Sequence, residues 1–180
     1  GKLAGFYVEY LRRILEAARG GIDIVFMGDD FGMQDRMLCS PGMWREFLAP
    51  GLRKFIETTK PFKVFVAQHT DGAVGPIIGD MVAMGLDILN PVQPGVQGME
   101  PEKLKQAFGD RLSFHGSICI QKTLPFGTPQ EIRDEVLHRV KTLGRGGGLI
   151  LCSAHNIQSD TPTANILALF DAYRELGVYA

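Results

Sequence analysis

Five short strand-like runs recur along this chain, near 22–28, 62–68, 86–90, 111–116 and 148–152, with a helical pattern between each run and the next. That alternation limits the possible folds more than any other feature. Runs such as Val64-Phe65-Val66-Ala67 and Leu149-Ile150-Leu151 are apolar at consecutive positions, as strands buried on both faces of a parallel sheet must be. Strands alternating with helices read as βαβ units joined by right-handed crossovers.

The helical patterns carry their own punctuation. The first spans 2–19 and is stopped by Gly20-Gly21. Ser40-Pro41 supplies an N-cap and a proline at N1 for a helix to about Thr59, which Pro50 should kink or split. Further helices are expected over about 74–84, stopped by Gly85, and from Glu100-Pro101 to Phe108, followed by Gly109. Thr128-Pro129-Gln130-Glu131 is a capping box opening a helix that reaches Gly144, and Thr161-Pro162 opens a last one that reaches Gly177.

Two architectures place helices over a parallel sheet. A nucleotide-binding doubly wound sheet needs a glycine-rich turn after an early strand, and Gly146-Gly147-Gly148 precedes its strand instead. A (β/α)8 barrel draws its chemistry from the C-terminal ends of several strands, and here all five end in polar groups. They are Asp29/Asp30, His69/Asp71, Asn90/Gln93, His115/Ser117 and His155/Asn156. The fold expected is α/β: the C-terminal portion, about five βα units, of a (β/α)8 TIM barrel that lacks its N-terminal strands. Five strands cannot close a barrel of eight, so the terminal strands would leave unpaired edges. The chain is therefore expected to be a homo-oligomer or to depend on a missing N-terminal half.

Two strand ends stand out. His69-Thr70-Asp71-Gly72 places an imidazole and a carboxylate two residues apart where the chain leaves a strand, and Cys152-Ser153-Ala154-His155-Asn156 repeats the design on the last strand. His69, Asp71 and His155 could converge across the barrel mouth as three N/O ligands around an open position, which is what catalytic zinc requires. The bland reading keeps Asp71 as a helix cap hydrogen-bonded to His69. Of Asp29 and Asp30, one suits a turn cap and the other a general acid or a substrate contact. Asn90, Gln93, His115 and Asn156 are candidate substrate-binding groups by position, although His115 could equally pack against neighbours. His138 sits in a charged helix and should be a surface residue, while Cys39 and Cys119 suit small packing groups. Met27, Met33 and Met37 suggest an adaptable apolar wall.

Composition excludes several classes. Nineteen basic and 20 acidic residues give a formal net charge of −1 and no basic field, so nucleic acid and anionic lipid are not expected partners. No apolar run approaches the ~20 residues of a membrane span. Three cysteines without CxxC spacing argue against a disulfide framework and for the cytoplasm.

The chain resembles the uroporphyrinogen decarboxylase superfamily, and especially its branch of corrinoid-linked methyltransferases. The resemblance runs through Gly28-Asp29-Asp30, Ser40-Pro41-x-x-Trp44-Arg45, His69-Thr70-Asp71-Gly72, Gly85-x-Asp87-x-Leu89-Asn90-Pro91-Val92-Gln93, Thr123-Leu124-Pro125-Phe126-Gly127-Thr128-Pro129 and Ala154-His155-Asn156. It implies a (β/α)8 barrel. In the zinc methyltransferases of this group, a His-x-Cys motif and a distant Cys bind the metal. His69 matches the first histidine, Asp71 stands in place of the first cysteine, and His155 falls about where the distant cysteine would be, with Cys152 as a substitute. The activity implied is methyl transfer between a small methylated substrate and a corrinoid carried by a partner protein, with zinc or another divalent metal at His69, Asp71 and His155. The decarboxylases of the superfamily act in porphyrin metabolism, and a histidine of their tetrapyrrole site matches His155, so tetrapyrrole decarboxylation is the alternative. A non-catalytic barrel module within a complex is a third.

Overall fold

The computed structural model describes residues 1–178. Strands β1 (Ile24–Gly28), β2 (Phe65–His69), β3 (Ile88–Val92), β4 (Ser113–Ile118) and β5 (Leu149–Ser153) form one parallel sheet in the order β1-β2-β3-β4-β5. Strictly sequential order excludes the doubly wound alternative, in which the strand order reverses about the first strand. The sheet is an open run of barrel wall built from consecutive βα units.

The helices are α1 (Lys2–Ala18), α2 (Pro41–Met43), α3 (Ala49–Thr59), α4 (Gly75–Met84), α5 (Pro101–Phe108), α6 (Thr123–Phe126), α7 (Pro129–Thr142) and α8 (Thr163–Leu176). Between α2 and α3 the chain makes a π-turn over Trp44–Leu48, in which the Ala49 N–H reaches back to the Trp44 carbonyl. This is how the helix accommodates Pro50: widening one turn relieves the clash of the ring with the preceding carbonyls. The capping box at Thr128 forms as expected, with the Glu131 N–H donating to the Thr128 hydroxyl and the Thr128 N–H to the Glu131 carboxylate.

Strands start later than the apolar runs suggest. β2 begins at Phe65 rather than at 62, because Lys60–Phe62 forms a 3-10 turn around Pro61 and Lys63 adopts a left-handed conformation at φ 56°. β3 begins at Ile88 rather than at 86 and runs through Asn90-Pro91, the expected end of the strand, to Val92, with an irregular register between Leu89 and Val92. Asp87 ties the entry of β3 to both neighbours. Its carboxylate accepts from the Val66 N–H at 2.8 Å, and its carbonyl from the Ser113 N–H at 2.8 Å.

Alternation along each strand gives the sheet two faces. On the helix-covered face Val66, Leu89, Phe114 and Leu149 pack with Ile77, Ile78, Met81, Leu104 and Leu143 into the main core. A second cluster joins Ile118, Leu124, Ile132, Val136, Leu169 and Ala172 beneath α6, α7 and α8. A third joins Leu11, Leu15 and Val25 under α1. The opposite, concave face is uncovered: Ile24, Phe26, Phe65 and Ile150 are 46%, 55%, 58% and 41% exposed. Among the described residues no helix is long and apolar enough to cross a membrane.

Candidate metal centre

The site grows from the end of β2. His69 is the last residue of the strand, and its carbonyl accepts from the Asp29 N–H at 3.2 Å, while the next residue, Thr70, donates its N–H to the Asn90 carbonyl at 2.7 Å. Thr70 is fully buried, and its hydroxyl accepts from the Phe31 N–H at 2.9 Å. The β1 and β2 loops then cross backbone to backbone. Gly72 sits at φ 82°, and a Cβ there would lie 2.5 Å from the Gly32 carbonyl carbon, while one on Gly32 would lie 2.6 Å from the Asp71 oxygen. Only two glycines allow that approach. It brings the Asp71 N–H to Asp30 Oδ1 at 2.9 Å and the Ala73 N–H to the Met33 carbonyl at 2.8 Å.

Crossing the loops assembles a cluster at the mouth. His69 Nε2 lies 3.8 Å and His155 Nε2 3.7 Å from Asp71 Oδ2, and one ligand atom from each of the three residues falls within 4.8 Å of the others. The two imidazole rings are 5.9 Å apart between centroids and inclined at 53°. Asp30 Oδ1 lies 3.7 Å from His69 Nε2. Burial pushes the Asp71 carboxyl above the ordinary carboxylate range; the two imidazoles pull it back, and Asp30 adds to the rise. Metal–ligand bonds of about 2.0–2.2 Å place neighbouring ligand atoms roughly 3–4 Å apart. Two of the three separations already lie in that range. Two imidazole nitrogens and a desolvated carboxylate, with His155 on the exposed side, fit a divalent ion with a position left open.

The other expected site residues have separate places. Asn90, a candidate substrate contact, spends its amide between two imidazoles: its Oδ1 lies 2.6 Å from His69 Nδ1 and its Nδ2 lies 2.5 Å from His115 Nδ1. Burial, and then the nearby His69, lower the pKa of His115. Gln93 is buried, accepting from the Gly72 N–H at 2.9 Å and donating to Gln34 at 3.4 Å. Asp29 and Asn156 are exposed at the rim. Cys152 stays outside the cluster: its thiol donates to the Ser153 carbonyl at 3.2 Å, and burial raises its pKa. His138 pairs with Glu102 at 2.9 Å on the surface. Phe26 was not expected at the site, yet it packs edge-on to His115 with centroids 6.2 Å apart. Strand alternation could have found it, because Phe26 and His115 fall on the same face of the sheet.

A parallel sheet of barrel type with histidines and carboxylates gathered at its strand ends defines a TIM-barrel-like wall with a mouth suited to chemistry. The chain belongs to the uroporphyrinogen decarboxylase (URO-D) family, whose model matches residues 1–176. A uroporphyrinogen decarboxylase from Psychromonas ingrahamii is 25% identical over 98% of this chain and 47% of its own length. A solved methyltransferase from Methanosarcina mazei superposes with a TM-score of 0.73 at 26% identity, covering 97% of this chain and 48% of that one. A dihydropteroate synthase from Anaplasma phagocytophilum, solved with bound 6-hydroxymethylpterin-monophosphate, shares the fold at a TM-score of 0.58 and 16% identity over 96% of this chain and 68% of its own. The chain spans about half the length of the decarboxylase and the methyltransferase it matches.

Proposed function

We propose that this chain provides the metal-binding wall of a methyltransferase that moves a methyl group between a small methylated substrate and a corrinoid carried by a partner protein. The observation that carries this reading is the convergence of His69, Asp71 and His155, with both imidazole Nε2 atoms within 3.8 Å of one carboxylate oxygen. Zinc or another divalent ion held there supplies Lewis-acid polarisation of the substrate atom that carries the methyl group. The chain's own residues do the rest. A ligand set of two nitrogens and one oxygen, without thiolate, favours an oxygen-bearing substrate over a thiol. Asp30, fixed by the Asp71 N–H, keeps its second carboxylate oxygen free to take or return a proton at the substrate. Asp29, Asn156 and the open side of His155 lie toward solvent, where a small substrate and the partner's corrinoid would arrive.

The decarboxylase reading has the Psychromonas relative on its side. A substrate with several carboxylates, however, calls for free guanidinium groups. Arg36, Arg45 and Arg111, near helix or strand starts, are each paired with a carboxylate, Asp35, Asp80 and Asp110. The grouping of His69, Asp71 and His155 puts the methyltransferase reading first. Its test is the metal content of the purified protein together with methyl transfer from simple methylated donors to a corrinoid. His69→Ala should remove both together; stoichiometric metal in that variant would refute the ligand set.

A further inference from the structure

We infer that Asn90 is a positioning residue that fixes the tautomer of His69, holding the proton on Nδ1 and leaving Nε2 as the ligand atom. The inference rests on the metal reading of the site and deepens it. Its basis is the direction of two hydrogen bonds. A side-chain carbonyl oxygen only accepts, so Asn90 Oδ1, at 2.6 Å, requires a hydrogen on His69 Nδ1. An amide nitrogen only donates, so Asn90 Nδ2 requires a lone pair on His115 Nδ1. One amide thus imposes opposite tautomers on its two neighbours.

The consequence falls where the cluster needs it. With its hydrogen on Nδ1, His69 turns Nε2 toward Asp71 at 3.8 Å and Asp30 at 3.7 Å, a point where two carboxylates call for a cation. Turning the amide over would put the hydrogen on Nε2 and close that ligand position. His115 guards against this. It is held edge-on by Phe26 and meets the other end of the same amide, so turning the amide over would require both imidazoles to exchange tautomers together. Asn90 is itself buried, and it pairs with His69 in the β2–β3 register, so the backbone ladder sets the spacing of the two side chains. Outer hydrogen bonds of this kind orient metal-ligating imidazoles.

The test separates this inference from the metal reading. In metal-free wild-type protein, long-range 1H–15N correlation of labelled histidine, recorded where the imidazoles are neutral, should show His69 with its hydrogen on Nδ1 and His115 with its hydrogen on Nε2. The reverse pair would overturn the inference whether or not metal binds. Cobalt(II) affinity, read by titration of its visible bands, should fall about 10–100-fold in Asn90→Leu, the range seen when such outer partners are lost. Asn90→Asp keeps the acceptor and should stay within about threefold of wild type by the same principle. Equal losses in both variants would mean that Asn90 serves only to pack the strand, and would overturn the inference. If the expected tautomers are found and wild-type protein takes up no metal, the metal reading falls and the positioning role of Asn90 stands.

Discussion

The two faces of the sheet use alternate residues of the same strands and end in opposite conditions. Phe114, on the helix-covered face, is fully buried, whereas Phe65 and Phe26 on the concave face are more than half exposed. The concave face is itself divided. Its lower part is bare hydrocarbon, and its upper part, where the strands end, is a laced set of polar groups: His69, Asn90, His115, Asp71 and Asp30. Packing energy is thus concentrated on one face and the candidate site on the other. The clustered polar side chains of the candidate site lie apart from the helix-side core.

Truncating the two faces should show the largest difference. Phe114→Ala is expected to cost ~3–5 kcal/mol by urea denaturation, because the helix-side core cannot refill the space. Phe65→Ala, already exposed to water, should cost less than about 1 kcal/mol. Comparable losses at both positions would mean that the concave face is covered in solution, and concentration-dependent light scattering would then show by how much Phe26 and Phe65 are shared with another copy.

The mouth should respond to charge rather than to volume. Asp71→Asn removes one ligand and should weaken metal affinity by more than about tenfold, measured by competition with a chromophoric chelator. Stability of the metal-free form should move the other way. Burial raises the Asp71 pKa, so the folded protein holds that proton more tightly than the unfolded chain, and the charged carboxylate detracts from stability above its raised pKa. At neutral pH the metal-free variant should melt no lower than wild type, and its advantage should vanish as the pH falls below the ordinary carboxylate range. A variant that melts well below wild type at pH 7 would show that Asp71 is a structural cap.

These differences mark how far the sequence could be read. The parallel sheet, its strand order and the cluster of His69, Asp71 and His155 follow from apolar runs that stop at polar residues, and periodicity carries that signal. Asn90, Gln93 and His115 were legible as strand-end polar groups but not in their roles. Which partner an amide takes is set by register between strands distant in sequence, and neither the Asn90–His69 pairing nor the shift at Leu89/Val92 leaves a local trace. The strand starts were misplaced where a proline turn consumed the first apolar residues, as at Pro61. No local pattern in the sequence marks the close approach of Gly32 and Gly72. Their need is mutual, set by two loops crossing, and one segment read alone cannot show it.

A smaller effect tests whether the helix layer is locally specified. Thr128→Ala removes the hydroxyl half of the capping box and should cost ~1 kcal/mol in denaturant unfolding. A change below a few tenths would mean that α7 is held by Ile132 and Val136 in the second core cluster and not by its cap.

The smallest expected effect concerns His115, where the mouth meets the bare part of the concave face. Its pKa is lowered from the ordinary histidine value of 6.5, first by burial and then by the neighbouring His69. The folded protein therefore resists a proton that the unfolded chain accepts as the pH falls through that value, and stability is lost across the window between 6.5 and the lowered folded pKa. His115→Gln keeps a side chain able to meet Asn90 and removes the titration. Wild type should lose more melting temperature than this variant between about pH 7 and pH 5. Acid-sensitive groups away from His115 and His69 are common to both proteins and cancel in the comparison. Parallel pH profiles would mean that His115 is as open to water as Phe26 beneath it, and the division of the concave face into a packed mouth and a bare floor would then be lost.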